Sequence, residues 1–199
     1  MHDSQRDTLR VQKLRKAFQK KIQAPLGHIL DHLKFIDESG AHLGFTRLYG
    51  RATPGERVIE ATPGHSGKHY TLVAALGPCE VSATWVLEGA MTQDAFETYV
   101  TCVLTLRKGD VVLIDNLNVH KSKVAVSQIA ARGARLEFLP PYSPDFNPIE
   151  QCWAKVKSVL RQMKARNLDE LLKALCIAFE SITPADMRAW FTHCGYVIH

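Results

Sequence analysis

The pattern of apolar runs changes midway along the chain, and that change restricts the fold more than any other feature. Before it, short apolar stretches follow one another closely: Leu33–Asp37, Thr46–Arg51, His69–Leu76 broken by Gly77-Pro78, and Ala83–Leu87. Three or four strands arriving with only turns such as Thr53-Pro54-Gly55-Glu56 between them predict an antiparallel meander. After it, helix and strand alternate. Thr92 reads as the N-cap of a helix over 93–106 with Phe96, Tyr99, Val100 and Val103 on one face. The buried-looking strand Val111–Asp115 follows, then a helix over 122–132 stopped by Gly133, and a strand over 135–139. A long helix over 148–164 carries Ile149, Trp153, Val156, Leu160 and Met163 on one stripe, and helices over 168–180 and 184–192 complete the chain. A meander followed by alternation describes an α/β layer architecture with a mixed sheet, and a ribonuclease H-like order of elements satisfies it.

Length and composition set outer bounds. With 199 residues, 46% of them hydrophobic, the chain fills one core. No run approaches the roughly 18 apolar residues of a membrane span, and the start lacks a signal-peptide pattern, so a cytoplasmic protein is expected. Five cysteines without a C-x-x-C pair argue against a disulfide framework and a structural zinc site. His65 and His69 lack a third ligand at zinc-like spacing. The net charge of +5 suits a polyanionic partner, and its distribution says more. Seven basic residues against the single acid Asp7 lie between Arg6 and Lys21, on a segment where Val11, Leu14, Phe18 and Ile22 predict a helix over 8–22, ended by Pro25 and Gly27. A second group, Lys155, Lys157, Arg161, Lys164 and Arg166, follows on the long helix. Either group also reads as an ordinary solvated helix face.

Three acids end or begin rigid elements. Asp37 closes an apolar strand, Asp115 closes another and precedes Asn116, and Glu150 opens the long helix after the loop Pro140-Pro141-Tyr142-Ser143-Pro144-Asp145-Phe146-Asn147-Pro148. In a ribonuclease H-like sheet the two aspartates fall on adjacent central strands, and the glutamate lies on a helix packed across their ends. Such a triad suits two Mg²⁺ or Mn²⁺ ions about 3.5–4 Å apart, the equipment of phosphoryl transfer on nucleic acid. Each acid also has a plain structural reading. Asn147, Pro148 and Glu150 match an N-cap, a first-turn proline and a capping-box glutamate. Asp115-Asn116 matches a strand-end turn and Asp37-Glu38-Ser39-Gly40 a loop. His120 is an auxiliary candidate beside the metal site, or a loop-packing histidine, and Trp153 reads as core.

Several of these residues together resemble one family. Asp115-Asn116 with His120 five residues on, the run Pro141-Tyr142-Ser143-Pro144-Asp145-Phe146-Asn147-Pro148-Ile149-Glu150, and Trp153 and Lys157 after it are similar to the catalytic domain of mariner-like DDE transposases, specifically their bacterial insertion-sequence relatives. Residues 116–149, thirty-four of them, separate the second and third acids, as the family pattern requires. Asp37-Glu38-Ser39 resembles its first acidic motif. Tyr49-Gly50-Arg51-Ala52 resembles its following strand, with Arg51 where a tryptophan is common.

The resemblance covers roughly residues 30–192. It implies a basic N-terminal helix or linker over 1–29, a ribonuclease H-like catalytic domain over 30–192 and a tail over 193–199. It further implies Asp37, Asp115 and Glu150 as ligands of two Mg²⁺ or Mn²⁺ ions, with Asn116 and His120 as auxiliaries. The activity implied is cleavage at transposon ends and transfer of the freed 3′-hydroxyl into double-stranded target DNA, typically at TA, by a homodimer associated with the bacterial nucleoid. Family members normally carry a helix-turn-helix region ahead of this domain, and some 30 residues precede the first catalytic strand here. A helix-turn-helix partner acting in trans is therefore one expectation. A non-catalytic DNA-binding or transposase-regulating remnant is the alternative.

Overall fold

The computed structural model describes residues 4–23 and 26–196. Its centre is one five-stranded sheet of β1 (Leu33–His42), β2 (His69–Leu76), β3 (Val81–Glu88), β4 (Val111–Ile114) and β5 (Arg135–Phe138), in the order β3-β2-β1-β4-β5. The meander half is antiparallel, β1 with β2 and β2 with β3. The alternating half is parallel, β1 with β4 and β4 with β5. The mixed sheet expected from the order of elements is therefore present. The β-branched and apolar strands β2 and β4 are buried almost throughout, as strands covered on both faces must be.

Alternation along the strands divides the core into two layers. Phe35, Leu72, Ala74, Leu76 and Leu113 face α5 (Ile149–Met163), α6 (Leu168–Glu180) and α7 (Pro184–His193), together with Phe18 and Ile22 of the N-terminal segment. Ile36, Val73, Ala75, Val112 and Ile114 face α3 (Gln93–Thr98), its continuation Tyr99–Val103, and α4 (Lys123–Ala131). Side-chain caps begin several helices, the expected Thr92 among them. Thr92 accepts from the Ala95 amide at 3.2 Å, Asn167 from the Glu170 amide at 2.9 Å, and Thr183 forms a capping box with Asp186. The N-terminal segment forms α1 (Leu9–Phe18) and a wider turn over Gln19–Gln23, followed by the single-turn α2 (Leu26–Ile29). Pro25, expected to end the first helix, lies outside the described residues. Tyr196, within the expected tail, is fully buried, stacks edge-on against Phe35 and donates to the Phe146 carbonyl at 2.9 Å.

Four expectations need correction. Thr46–Arg51 forms no strand: residues 43–68 run irregularly, and nearly all are exposed, so no partner strand satisfies their backbone. The helix expected over 93–106 keeps α-geometry only to Thr98, widens through Val103 and leaves residues 104–106 unhelical. Asp37 does not close a strand but sits in the middle of β1, because antiparallel pairing with β2 continues from Phe35↔Leu76 to His42↔His69. Asn147 does not cap α5: the N-cap is Pro148, without a side-chain hydrogen bond.

Candidate functional site

The register of the two central strands places the first two acids. β1 and β4 pair at Leu33↔Val111, Lys34↔Val112 and Phe35↔Leu113. Two steps further along both strands stand Asp37 and Asp115. Because side chains alternate, both point to the layer of Phe35 and Leu113, where α5 lies. β4 ends at Ile114, and the strands part there. The Leu139 amide donates to the Ile114 carbonyl at 2.8 Å, which brings the loop after β5 back over this gap. That loop delivers Glu150 into the first turn of α5. A cavity of about 370 Å³ results, lined by Asp37, Asp115, Asn116, Asn147 and Glu150 and walled by Leu139–Pro144.

The three acids differ in their surroundings. Asp37 is partly buried; its Oδ1 accepts from the Glu38 amide at 2.8 Å and its Oδ2 from Asn147 Nδ2 at 3.4 Å. Burial first, then the charge of Glu150, with smaller contributions from Glu38 and Asp115, pushes its carboxyl up to about 8. Asp115 goes the other way. Burial alone would raise it, but hydrogen bonds from His120 and the Leu117 amide hold it below the usual carboxylate range. Glu150 is exposed. His120 is fully buried, with Nδ1 2.6 Å from Asp115 Oδ1 and Nε2 2.9 Å from Glu38 Oε1. Burial works against its charge, yet the two carboxylates prevail and raise it to about 9. It is thus neither a surface nor a merely loop-packing residue. Asn116 is exposed on the cavity wall, and Trp153 is core, 2% exposed.

The donor set fits a divalent cation in chemistry. All three are hard oxygen donors, and the leading influences on Asp37 beyond burial are anionic neighbours that a cation would neutralise. The arrangement is not a ready-made cage. Among the described residues no group of three His, Cys, Asp or Glu side chains stands close enough together to hold an ion. The described cysteines are all free thiols, and no described helix is long and apolar enough to cross a membrane.

Sequence reasoning missed two groups. Glu38 reaches His120 from the opposite face of the sheet; the alternation of β1, once its length is known, would have found it. Arg15 grips the cavity loop: Nη1 donates to Ser143 Oγ at 2.6 Å and Asp145 Oδ1 at 3.0 Å, and Nη2 to Asp145 Oδ2 at 2.6 Å. Its guanidinium lies 4.0 Å from the centre of the Phe146 ring, which stacks on Phe18, and Arg6 adds a third bond to Asp145 at 3.0 Å. The two basic clusters consequently differ. Arg10, Lys13 and Lys16 on α1 and Lys20 in the turn after it are exposed opposite the buried Val11 and Phe18, and none forms an ion pair among the described residues. In the second cluster Lys155 binds Asp186 and the Ser181 carbonyl, Lys164 pairs with Glu60, Arg161 lies over Phe45, and Arg166 holds the Leu43 and Phe45 carbonyls.

No curated protein sequence matches the chain. Solved structures do share its fold. The Mos1 transposase paired-end complex with the left transposon end superposes with a TM-score of 0.78 at 15% identity, over 94% of this chain and 60% of that one. The Mos1 mariner paired-end complex with Mn gives the same figures. The catalytic domain of Mos1 mariner transposase gives 0.70 at 13% identity, over 94% of this chain and 90% of that one. The chain thus spans 60% of the length of the transposase in the first complex, and its fold is the ribonuclease H-like fold of such catalytic domains. The sequence profile described as DDE superfamily endonuclease matches residues 32–172, more than half of the chain and the whole stretch from Asp37 through Glu150, so the protein belongs to that family.

Proposed function

We propose that this chain catalyses divalent-metal-dependent DNA cleavage at transposon ends and strand transfer into target DNA, with Asp37, Asp115 and Glu150 as the ligands of two Mg²⁺ or Mn²⁺ ions. One observation carries the reading: three carboxylates from β1, the end of β4 and the start of α5 line one cavity, and Glu150 and Asp115 help to raise the carboxyl of Asp37. Bound ions would supply a lowered pKa for the attacking oxygen and charge stabilisation for the leaving one. The chain's own residues do the rest. Glu38 N and Asn147 Nδ2 orient Asp37, and His120 holds a proton at Nδ1 against Asp115. Asn116 stands beside Asp115 on the cavity wall as a second auxiliary. The nucleophile is water for cleavage and a DNA 3′-hydroxyl for transfer, so no protein nucleophile is required.

For DNA contact the reading uses the exposed Arg10, Lys13 and Lys16 of α1 with Lys20 of the turn after it, a segment clamped to the cavity loop through Arg15. Phosphate contacts of this kind make binding fall steeply with salt. End recognition, a TA target, assembly as a homodimer, a helix-turn-helix partner in trans and action in the bacterial cytoplasm belong to the same proposal. The test is nicking of supercoiled, TA-containing plasmid with Mg²⁺ or Mn²⁺. Asp115→Ala and Glu150→Gln should each abolish it while the folded circular dichroism spectrum persists; activity retained in Asp115→Ala removes the assignment.

A second reading rests on the absence of a gathered ligand trio among the described residues: a DNA-binding regulator without cleavage. Salt-sensitive DNA binding with no nicking under any cation would favour it.

A further inference from the structure

We propose that Glu38 is a positioning residue for Asp115, acting through His120 from the opposite face of the sheet. The inference rests on Asp115 being a metal ligand. Alternation along β1 turns Asp37 toward α5 and Glu38 toward the layer of Ile36, Phe96 and Tyr99. There it meets His120, carried on the short turn Asn118–Lys121 that follows Asp115. The ring is fully buried and lies beside Phe96, with centroids 4.7 Å apart. Its two nitrogens are committed to two carboxylates, Nε2 to Glu38 Oε1 at 2.9 Å and Nδ1 to Asp115 Oδ1 at 2.6 Å.

The consequence falls on the carboxylate of Asp115. Its Oδ1 takes both the His120 bond and the Leu117 amide at 3.1 Å, while Oδ2 takes no hydrogen bond among the described residues. Oδ2 is therefore the oxygen left for a cation. Glu38 holds the ring from the Nε2 side and so sets the direction in which Nδ1 meets Asp115. Without it, Nε2 would have no partner in an apolar wall, and the ring would lose the contact that fixes its plane against Oδ1. Partners one bond behind a metal ligand, the place His120 holds here, typically change metal affinity by about 10–100-fold, and Glu38 stands one bond further back.

Mn²⁺ binding to the full chain, read by the electron paramagnetic resonance signal of the free ion, tests this apart from activity. Glu38→Ala should weaken binding by about tenfold, the lower end of that range. Glu38→Gln keeps the shape and an acceptor oxygen; it should unfold as cooperatively as the unaltered chain and lose affinity by less. In an Asp115→Ala background, Glu38→Ala should bring no further loss, because its route to the ion is already gone. Equal losses in both backgrounds would mean that Glu38 acts on the fold, and would overturn the inference. So would unaltered affinity in Glu38→Ala while Asp115→Ala weakens binding; that result would leave the reading of the site standing. Unchanged binding in Asp115→Ala itself would remove both.

Discussion

Two long connections leave the sheet, and they behave oppositely. Residues 43–68, between β1 and β2, are exposed almost end to end, with Leu48, Tyr49, Val58 and Ile59 turned to solvent. What holds them is mainly the end of α5 and the turn after it: Arg166 on the Leu43 and Phe45 carbonyls, Arg161 over Phe45, and Lys164 paired with Glu60. Residues 139–148, between β5 and α5, are irregular apart from one 3-10 turn over Pro144–Phe146, and there Ser143, Phe146 and Asn147 are buried. Several of their polar groups find partners on β1, α1 and Tyr196, while Asn147 Oδ1 is buried without one among the described residues. The first carries five glycines and two prolines, the second four prolines and no glycine. The deeper difference is burial: the second loop sinks Ser143, Phe146 and Asn147 among distant elements, whereas the first is tied by surface bonds to a few of its residues.

The sharpest way to break this contrast is Phe146→Ala, which removes the ring between Phe18 and Arg15. It should cost about 4 kcal/mol in urea denaturation, a large-to-small change in a packed site. Asp37→Asn acts in the other direction. In the cation-free chain the folded Asp37 carboxyl is raised to about 8 above an ordinary value of 3.8. The folded state therefore binds the proton more tightly, and ionisation subtracts stability as pH rises from about 4 to about 8. The asparagine variant should be more stable by on the order of 3 kcal/mol at pH 8, with a smaller gain at pH 5. Denaturation at the two pH values checks the sign, and Mg²⁺ should narrow the gain by stabilising only the aspartate form. Arg15→Ala, which removes charge-assisted bonds to Asp145, should cost about 2 kcal/mol. On the other loop, Ile59→Ser should change stability by less than about 0.5 kcal/mol, because a side chain 90% exposed has nothing to lose. A larger cost there would mean that the loop is covered in solution, which sedimentation of the same sample would detect.

The sequence made the layer order legible because its two signals, closely spaced strands and then strand–helix alternation, correspond to different kinds of strand pairing. Asp37, Asp115 and Glu150 were legible as candidates for the same reason: each adjoins an apolar run of clear period. What stayed hidden depended on partners remote in sequence. Thr46–Arg51 has strand-like residues but no neighbouring strand, so propensity had nothing to pair with. Asn147 has the spacing of a cap, yet its amide turns to Asp37, 110 residues away. Asp145 sits in the same loop, and its partners Arg6 and Arg15 stand 139 and 130 positions earlier.

The position of Asp37 inside β1, rather than at its end, makes the cavity mechanically uneven. Its backbone is stitched to β2 on both sides along the strand, so its Cα shifts only if a ladder of hydrogen bonds opens. Asp115 and Glu150 stand where a strand stops and a helix begins, and small changes in the turns beside them suffice to move them. The cavity therefore has one stationary post and two adjustable ones. Any change of its aperture on taking up a phosphodiester would be a movement of the β4 end and the α5 start toward or away from β1.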